Sequence, residues 1–264
     1  MRSLLSQGAD ILYTTKNRKI FGCAYARYSR RPALRMAQYA IAAQPDDSLL
    51  IAKKLIAAKI AGQRKTISAF RNIDASAAAR ALKDAENYVN DAADGTQLLG
   101  YEGASAARYF KALSQCLKNM IFIRRDAHPA HDPFNALLNL TYMLTLHKID
   151  SILFGKGFDT SLGFPHTDAD DRMALSLDIL EPFRGLLDRF VVKMVNLGEI
   201  KDNDFESGGQ GCVLTKKGFT RYIARYSDEI EITPAAEVIA ERLKECLMTR
   251  EGALFEIKDM SRVL

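Results

Sequence analysis

Hydrophobic residues that recur every three or four positions run through most of this 264-residue sequence and favour α-helix. In "SLLIAKKLIAAKIAGQRKTI", residues 48–67, Leu55, Ile56 and Ile60 lie on one apolar stripe, while Lys59 lies toward another face. The same spacing returns in residues 31–44, 74–94, 103–123, 135–154 and 172–198, and again from residue 233. We therefore predict a mainly α protein with a multi-helix domain.

The one convincing β pattern precedes these helices. "ADILYTTKNRKIFGCAYAR", residues 9–27, places two short β-rich runs around the polar tip at residues 16–18. We predict a β-hairpin there, within a short N-terminal β region over residues 1–28, followed by one helical domain over residues 29–264.

Basic residues are concentrated toward the N-terminus. Residues 11–72 hold 13 Lys and Arg against two acids, whereas residues 73–264 hold 23 bases and 29 acids. Such an asymmetry favours a polyanion as partner, with acids elsewhere available for a metal or for structure. A solvated basic face without a ligand is the alternative.

Nothing in the sequence predicts a membrane protein or a secreted one. No run of 18 or more uncharged apolar residues is present, and the first ten residues lack the apolar region of a signal peptide. The four cysteines are far apart and form no CxxC pair, which is typical of reduced thiols. We expect a cytoplasmic protein.

Two carboxylates stand three residues apart in a strongly apolar segment. On a helix, Asp178 and Glu181 project from the same face. Like charges this close need a cation between them, and either an arginine, Arg172 or Arg184, or a metal ion would serve. Pro182 lacks an N–H, so it predicts a kink that frees the carbonyl of Asp178.

Two further candidate ligands are less specific by themselves. Glu102 lies in "GYEGASAARYF", residues 100–110, where small residues would let a ligand approach the backbone closely. His166 follows a loop, "LGFPH". Each alone is more often an ordinary surface or loop residue. Joined with Asp178 and Glu181, they would suit Mg²⁺ or Mn²⁺ and would polarise a phosphodiester.

Four segments, taken in order, closely resemble the CRISPR-associated integrase of the adaptation machinery, the Cas one family, over roughly residues 33–230. They are "GYEGASAARYF", "HPAHDPFNALLNLTYMLTL", "GFDTSLGFPH" and "LSLDILEPFRGLLDRFVV". The resemblance implies a mainly helical, metal-dependent DNA integrase and endonuclease. It would insert short DNA fragments into a CRISPR repeat array by attack of a 3′-hydroxyl.

The resemblance also implies residue roles. The metal ligands of the family fall on Glu102, His166 and Glu181, and Asp178 is the nearby second acid. Some relatives have Asp at the position of Glu181. Support for the site and for helix packing is expected from Arg108, Tyr109, Asn135 and Arg184.

Double-stranded DNA, both incoming fragment and repeat array, is the partner that the resemblance implies. The bases expected to hold its backbone are Arg27, Arg30, Arg31, Arg35, Lys53, Lys54, Lys59, Lys216, Lys217, Arg221 and Arg225.

About 30 residues precede the helical part, whereas typical members begin with a larger β-sandwich that builds their dimer. We therefore expect a compact member, or one cut short. A homodimer or higher homo-oligomer is expected. A small ferredoxin-like adaptation partner bridges two dimers in typical members, and a compact integrase could work without it.

Three other functions fit parts of the same pattern. They are a transposon-borne integrase relative, a repair nuclease for branched DNA and a noncatalytic DNA-binding scaffold. A scaffold has no need to keep Glu102, His166, Asp178 and Glu181 together, which argues against it. The sequence does not separate a repair nuclease from an integrase.

Overall fold

The computed structural model describes residues 1–14, 20–27, 31–71, 73–126, 129–164, 173–208, 211–250 and 255–257. The fold is mainly α-helical, as the periodicity predicts. The helices are α1 Arg2–Ser6, α2 Pro32–Ala42, α3 Pro45–Ser68, α4 Ser76–Asp91, α5 Gly95–Cys116, α6 Pro133–Lys156, α7 Ala174–Leu180, α8 Arg184–Asn196, α9 Lys216–Glu229 and α10 Thr233–Thr249. Within these described ranges, none of the helices combines the length and the apolar character that a membrane crossing requires.

The described residues form two compact units. The first contains Met1–Lys54, Thr145–Leu180 and Ile232–Leu264, and the second contains Leu55–Leu144 and Glu181–Glu231. The chain thus alternates between the units, with boundaries inside α3 and α6. This grouping differs from the division after residue 28 that the sequence suggested, because the hairpin shares its unit with helices that are distant in sequence.

The first unit contains the predicted hairpin. Strands β1 (Ile11–Thr14) and β2 (Ile20–Ala24) pair in antiparallel fashion, with Ile11 opposite Ala24 and Tyr13 opposite Gly22. The predicted tip lies outside the described residues. Helix α1, which precedes the hairpin, has no buried residue and was not predicted.

The core of the first unit includes α2 and α10. Leu34 and Ile41 are buried on α2, and Ile239 and Leu243 are buried on α10. Both helices have Pro in the first turn, where its missing N–H costs nothing. Local sequence therefore specifies where these helices begin, and the apolar stripe specifies which face is buried.

The second unit contains an α4–α5 pair. Helix α5 begins at Gly95, eight residues before the predicted start at Gly103, because the Asp94 side chain accepts a hydrogen bond from the Gln97 amide and caps the helix. The longer helix carries Glu102 in its interior, whereas the sequence placed Glu102 just before the helix.

A second hairpin, which the sequence did not predict, lies in the second unit. Strands β3 (Phe205–Gly208) and β4 (Gly211–Leu214) pair in antiparallel fashion. Gly211 has a φ of +98°, and a Cβ there would lie 2.6 Å from the Ala130 carbonyl oxygen. Only glycine suits this position, and it lets the Cys212 amide bond Ala130 at 2.8 Å.

Candidate metal centre

Four charged side chains of the second unit meet at one place. Lys59 comes from α3, Glu102 from α5, Glu181 from a 3₁₀ turn at Glu181–Phe183, and Arg184 from the start of α8. We call these four side chains the Lys59 cluster. The sequence predicted three of them as site residues, but it placed Lys59 on a DNA-binding face.

The Lys59 ammonium group lies between two carboxylates. Its Nζ atom donates to Glu102 Oε1 and lies 2.7 Å from Glu181 Oε2. The side chain of Lys59 is 9% exposed, that of Glu181 is 2% exposed, and that of Glu102 is 22% exposed. The cluster is therefore buried on the Glu181 side and reaches solvent on the Glu102 side.

Glu181 is also held by Arg184. The Arg184 Nε atom lies 2.9 Å from each carboxylate oxygen, and its Nη2 atom lies 2.8 Å from Oε1. Burial alone would raise the pKa of Glu181, but the charges of Arg184 and Lys59 outweigh burial and hold that pKa well below its ordinary value. Both cations therefore favour the ionised form of the Glu181 carboxyl.

The chain brings these groups together through a proline and two glycines. Pro182 cannot donate an amide hydrogen bond, and α7 ends at Leu180, two residues before it. The 3₁₀ turn that contains Pro182 follows, and then α8 begins, so the helix is interrupted where the sequence predicted a kink. Gly185 lies so close to Gly62 of α3 that a Cβ at Gly185 would be 2.5 Å from the Gly62 carbonyl oxygen. This close approach brings α3, and with it Lys59, up to Glu181.

Behind Arg184 lies a buried network that the sequence did not reveal. Asp188 accepts hydrogen bonds from Tyr109, at 2.7 Å, and from Tyr142. The Arg184 guanidinium lies over the Tyr142 ring, 4.5 Å from its centroid. Burial raises the pKa of Asp188 to about 6, although the tyrosine hydroxyls and Arg184 act in the opposite direction. Asp188, a charged residue on the otherwise apolar stripe of α8, is the sequence signal that could have indicated this network.

Asn135, for which the resemblance implies a supporting role, belongs to a hydrogen-bond network at the start of α6. Fully buried at the start of α6, it accepts hydrogen bonds from Arg125, at 2.8 Å, and from the Asp126 amide, at 2.9 Å. Its own amide donates to the Arg124 carbonyl and to Asp132. Asn135 thus fixes the connection before α6. Arg108, in contrast, is exposed and donates a long hydrogen bond, 3.5 Å, to the Ala104 carbonyl of its own helix.

Asp178 lies in the first unit and is fully buried. Its carboxylate accepts a hydrogen bond from the Phe164 amide at 2.6 Å, and a Cβ at Gly163 would lie 2.4 Å from it. Gln38 of α2 bonds the Asp159 and Leu162 carbonyls at 2.7 and 2.8 Å. The segment ahead of residue 165 is therefore held at several points. His166 itself lies outside the described residues.

The residues present fit a hard divalent ion in donor chemistry. Glu102 and Glu181 already converge on one cation, the Lys59 ammonium, and carboxylate oxygens are the ligands that Mg²⁺ and Mn²⁺ prefer. In the part of the chain that the structure describes, no three His, Cys, Asp or Glu side chains form a metal-binding group. The third predicted ligand, His166, lies outside that part.

The predicted DNA-binding bases lie in three kinds of environment. Arg27, Arg31, Lys216 and Lys217 are exposed, although Arg27 also pairs with Glu237 at 3.1 Å. Half-buried bases are Arg35, Lys53, Lys54, Arg221 and Arg225, the last two of which pair with Asp204 and Glu199. Lys59 is buried in the cluster and is not an exposed base, because it neutralises two glutamates. Arg30 lies outside the described residues.

Comparison with known proteins decides the family. The family model described as CRISPR associated protein Cas1 matches residues 1–228. The chain belongs to the Cas1 family. The identification made from four sequence segments is therefore confirmed.

Cas1 relatives with curated names are about one-third identical to the chain. A CRISPR-associated endonuclease Cas1 of Chlorobaculum tepidum is 32% identical over 216 residues, which is 75% of this chain and 63% of the relative. An exonuclease Cas4/endonuclease Cas1 fusion of Rhodospirillum rubrum is 32% identical over 246 residues, which is 88% of this chain and 42% of the relative. The chain thus spans less than two-thirds of either relative.

Solved structures share the Cas1 fold. A CAS1 protein from Thermotoga maritima has a TM-score of 0.82 and 19% identity, covering 94% of this chain and 81% of that one. A casposase bound to integration product also has a TM-score of 0.82, with 21% identity, covering 98% of this chain and 79% of that one. At these identities the likeness shows the fold alone.

Proposed function

We propose that this chain is a metal-dependent DNA integrase and endonuclease that inserts short DNA fragments into a CRISPR repeat array. The observation that carries the proposal is the meeting of Glu102 and Glu181, from two separate elements, around one cation position. Membership of the Cas1 family, whose curated relatives are named endonucleases, supports it.

The reaction needs no nucleophile from the protein. The 3′-oxygen of the incoming fragment forms a bond to phosphorus, and the bond from phosphorus to the leaving oxygen of the target strand breaks. The proton of the attacking hydroxyl passes to solvent, and the leaving oxygen takes up a proton from solvent to become a free hydroxyl. The number of phosphodiester bonds is unchanged, so no external energy source is required. The protein contributes positioning and charge neutralisation.

Within the chain, Glu102, Glu181 and His166 are proposed to hold Mg²⁺ or Mn²⁺. When bound, such an ion polarises the scissile phosphate. Arg184 keeps Glu181 ionised and oriented through its three close contacts. Asp178 holds the Phe164 amide, directly ahead of the segment that contains His166, and we assign it a positioning role.

DNA binding is assigned first to the exposed bases. Lys216 and Lys217 begin α9, where Thr215 caps the helix by accepting a hydrogen bond from the Gly218 amide, and both side chains are exposed. Ammonium groups that neutralise phosphates release counterions, so the affinity for duplex DNA should fall steeply with salt. Arg27 and Arg31 provide a second exposed pair in the first unit.

The assembly is also proposed. A homodimer or higher homo-oligomer, with or without a small ferredoxin-like partner, would let two copies act on the two ends of one fragment. A solved complex with a shared fold, titled a Cas6-RT-Cas1–Cas2 complex, has a TM-score of 0.82 and 24% identity and covers 97% of this chain and 30% of that one. It supports the partner proposal only through the fold.

The test is an integration assay. The protein is incubated with Mn²⁺ or Mg²⁺, a duplex with free 3′-hydroxyls and a supercoiled plasmid with a repeat array, and the joints are mapped by sequencing. Joints should form at repeat edges with wild type, should be lost in Glu102→Gln, Glu181→Gln and His166→Ala, and should persist in Glu206→Gln, which changes an exposed glutamate of β3.

Other outcomes of this assay identify the alternatives. Hydrolysis without joining would indicate a branched-DNA nuclease, and joining restricted to the ends of one mobile element would indicate a transposon-borne integrase. Binding without either reaction would indicate a scaffold. Thermal unfolding of each variant shows whether lost joining reflects lost folding.

A further inference from the structure

Lys59 is unusually buried for a lysine paired with carboxylates. Its side chain is 9% exposed, whereas those of Lys156, Lys193 and Lys244, which also pair with glutamates, are 22%, 48% and 28% exposed. Removing an ammonium group from water is costly unless fixed anions replace its hydration. Glu102 and Glu181 supply those anions, so this burial depends on both.

The Lys59 cluster has no unbalanced negative charge that would attract a second cation. Two glutamates are balanced by Lys59 and Arg184, and Glu181 is already matched by Arg184 through three close contacts. Lys59 is therefore chiefly the counter-ion of Glu102. A divalent ion bound to the same carboxylate oxygens would repel an ammonium group a few ångströms away. The two cations cannot share these ligands.

We propose that Lys59 is a built-in cation that holds Glu102 and Glu181 together when no metal is bound, and that it leaves them when the metal binds. This inference rests on the proposed metal-dependent function. It assigns to Lys59 a positioning role: the ammonium keeps the two carboxylates converged and limits the apparent affinity for the metal.

The first test measures Mn²⁺ binding to the full chain by calorimetry. Lys59→Met removes the competing charge and keeps most of the side-chain volume. We expect the dissociation constant of this variant for Mn²⁺ to be lower than that of wild type by about tenfold or more, which corresponds to the loss of one charged hydrogen bond. Lys111→Met, which removes an exposed lysine from the same helix as Glu102, should bind within about twofold of wild type.

The second test uses wild type alone, so it does not depend on whether Lys59→Met folds. Lysines are acetylated with an N-hydroxysuccinimide ester, and modification of each peptide is followed by mass spectrometry with and without Mn²⁺. Lys59 should be protected without metal and should react several-fold faster with saturating Mn²⁺, while Lys111 should not change. Unchanged or slower reaction of Lys59 would overturn the proposal.

The two proposals fail in different ways. If wild type binds Mn²⁺ and Lys59→Met binds it equally or more weakly, Lys59 does not compete and only this inference is lost. If neither protein binds Mn²⁺, the proposed metal dependence fails and takes the role of Lys59 with it.

Discussion

Replacing Gly185 by alanine should separate α8 from α3 and destabilise the second unit. An added Cβ would lie 2.5 Å from the carbonyl carbon and oxygen of Gly62 and 2.8 Å from the backbone nitrogen of Gln63, whereas ordinary van der Waals contact begins at 3.4 Å. These neighbours are backbone atoms and cannot rotate away. The helices would have to move apart by about 0.9 Å at this point.

The cost of Gly185→Ala follows from three contributions. Overpacking costs roughly 1–3 kcal/mol or more, with rigid backbone neighbours at the upper end. Weakening the buried hydrogen bond from Thr66 to the Gly185 carbonyl, 2.6 Å long, costs about 1 kcal/mol. The better helix propensity of alanine returns about 1 kcal/mol. We expect a net loss of about 3 kcal/mol, equivalent to a fall in Tm of roughly 6–12 °C.

Thermal and urea unfolding followed by circular dichroism measure this loss. The matched control is Gly103→Ala on α5, where an added Cβ has no atom within 4 Å, so the helix should gain about 0.5–1 kcal/mol. A Gly185→Ala protein as stable as wild type would refute the close approach of α3 and α8. A loss in Gly103→Ala equal to that in Gly185→Ala would show that the loss does not come from that approach.

Three further predictions concern other parts of the second unit. Burial raises the pKa of Asp188 from 3.8 to about 6, so ionisation of this carboxyl lowers the free energy of unfolding as pH rises between these values. Urea unfolding at several pH values should therefore show that Asp188→Asn gains about 3 kcal/mol of stability relative to wild type between pH 3.8 and a pH above 6. Asn135→Ala should cost about 3 kcal/mol in the same assay at neutral pH, because several buried hydrogen bonds to the connection before α6 are lost; an unchanged midpoint would contradict this. Replacing Lys216 and Lys217 together by alanine should weaken duplex binding and reduce the salt slope by roughly 2, as measured by fluorescence anisotropy at several salt concentrations; an unchanged slope would remove them from the DNA interface.

Local patterns predicted most helices but not all elements. The apolar period of α3 and α6, the prolines that begin α2 and α10, and the kink at Pro182 depend on residues within a few positions of each other. The β3–β4 hairpin was missed because its strands, FESG and GCVL, contain few of the β-branched and aromatic residues that mark β1 and β2. The sequence predicts α5 only from Gly103, because the apolar period alone does not show that Asp94 caps a new helix.

Ordered motifs and helical spacing are enough to identify a helical member of the Cas1 family with Glu102 and Glu181 as candidate acids. What neutralises these acids is visible only once the chain is folded. Lys59 is 43 residues from Glu102, and the helical pattern predicted that it faces solvent. In the folded chain, the close approach of Gly62 and Gly185 places α3 against the 3₁₀ turn and brings Lys59 to the two glutamates. Charge pairing between distant helices depends on packing, which no local spacing records.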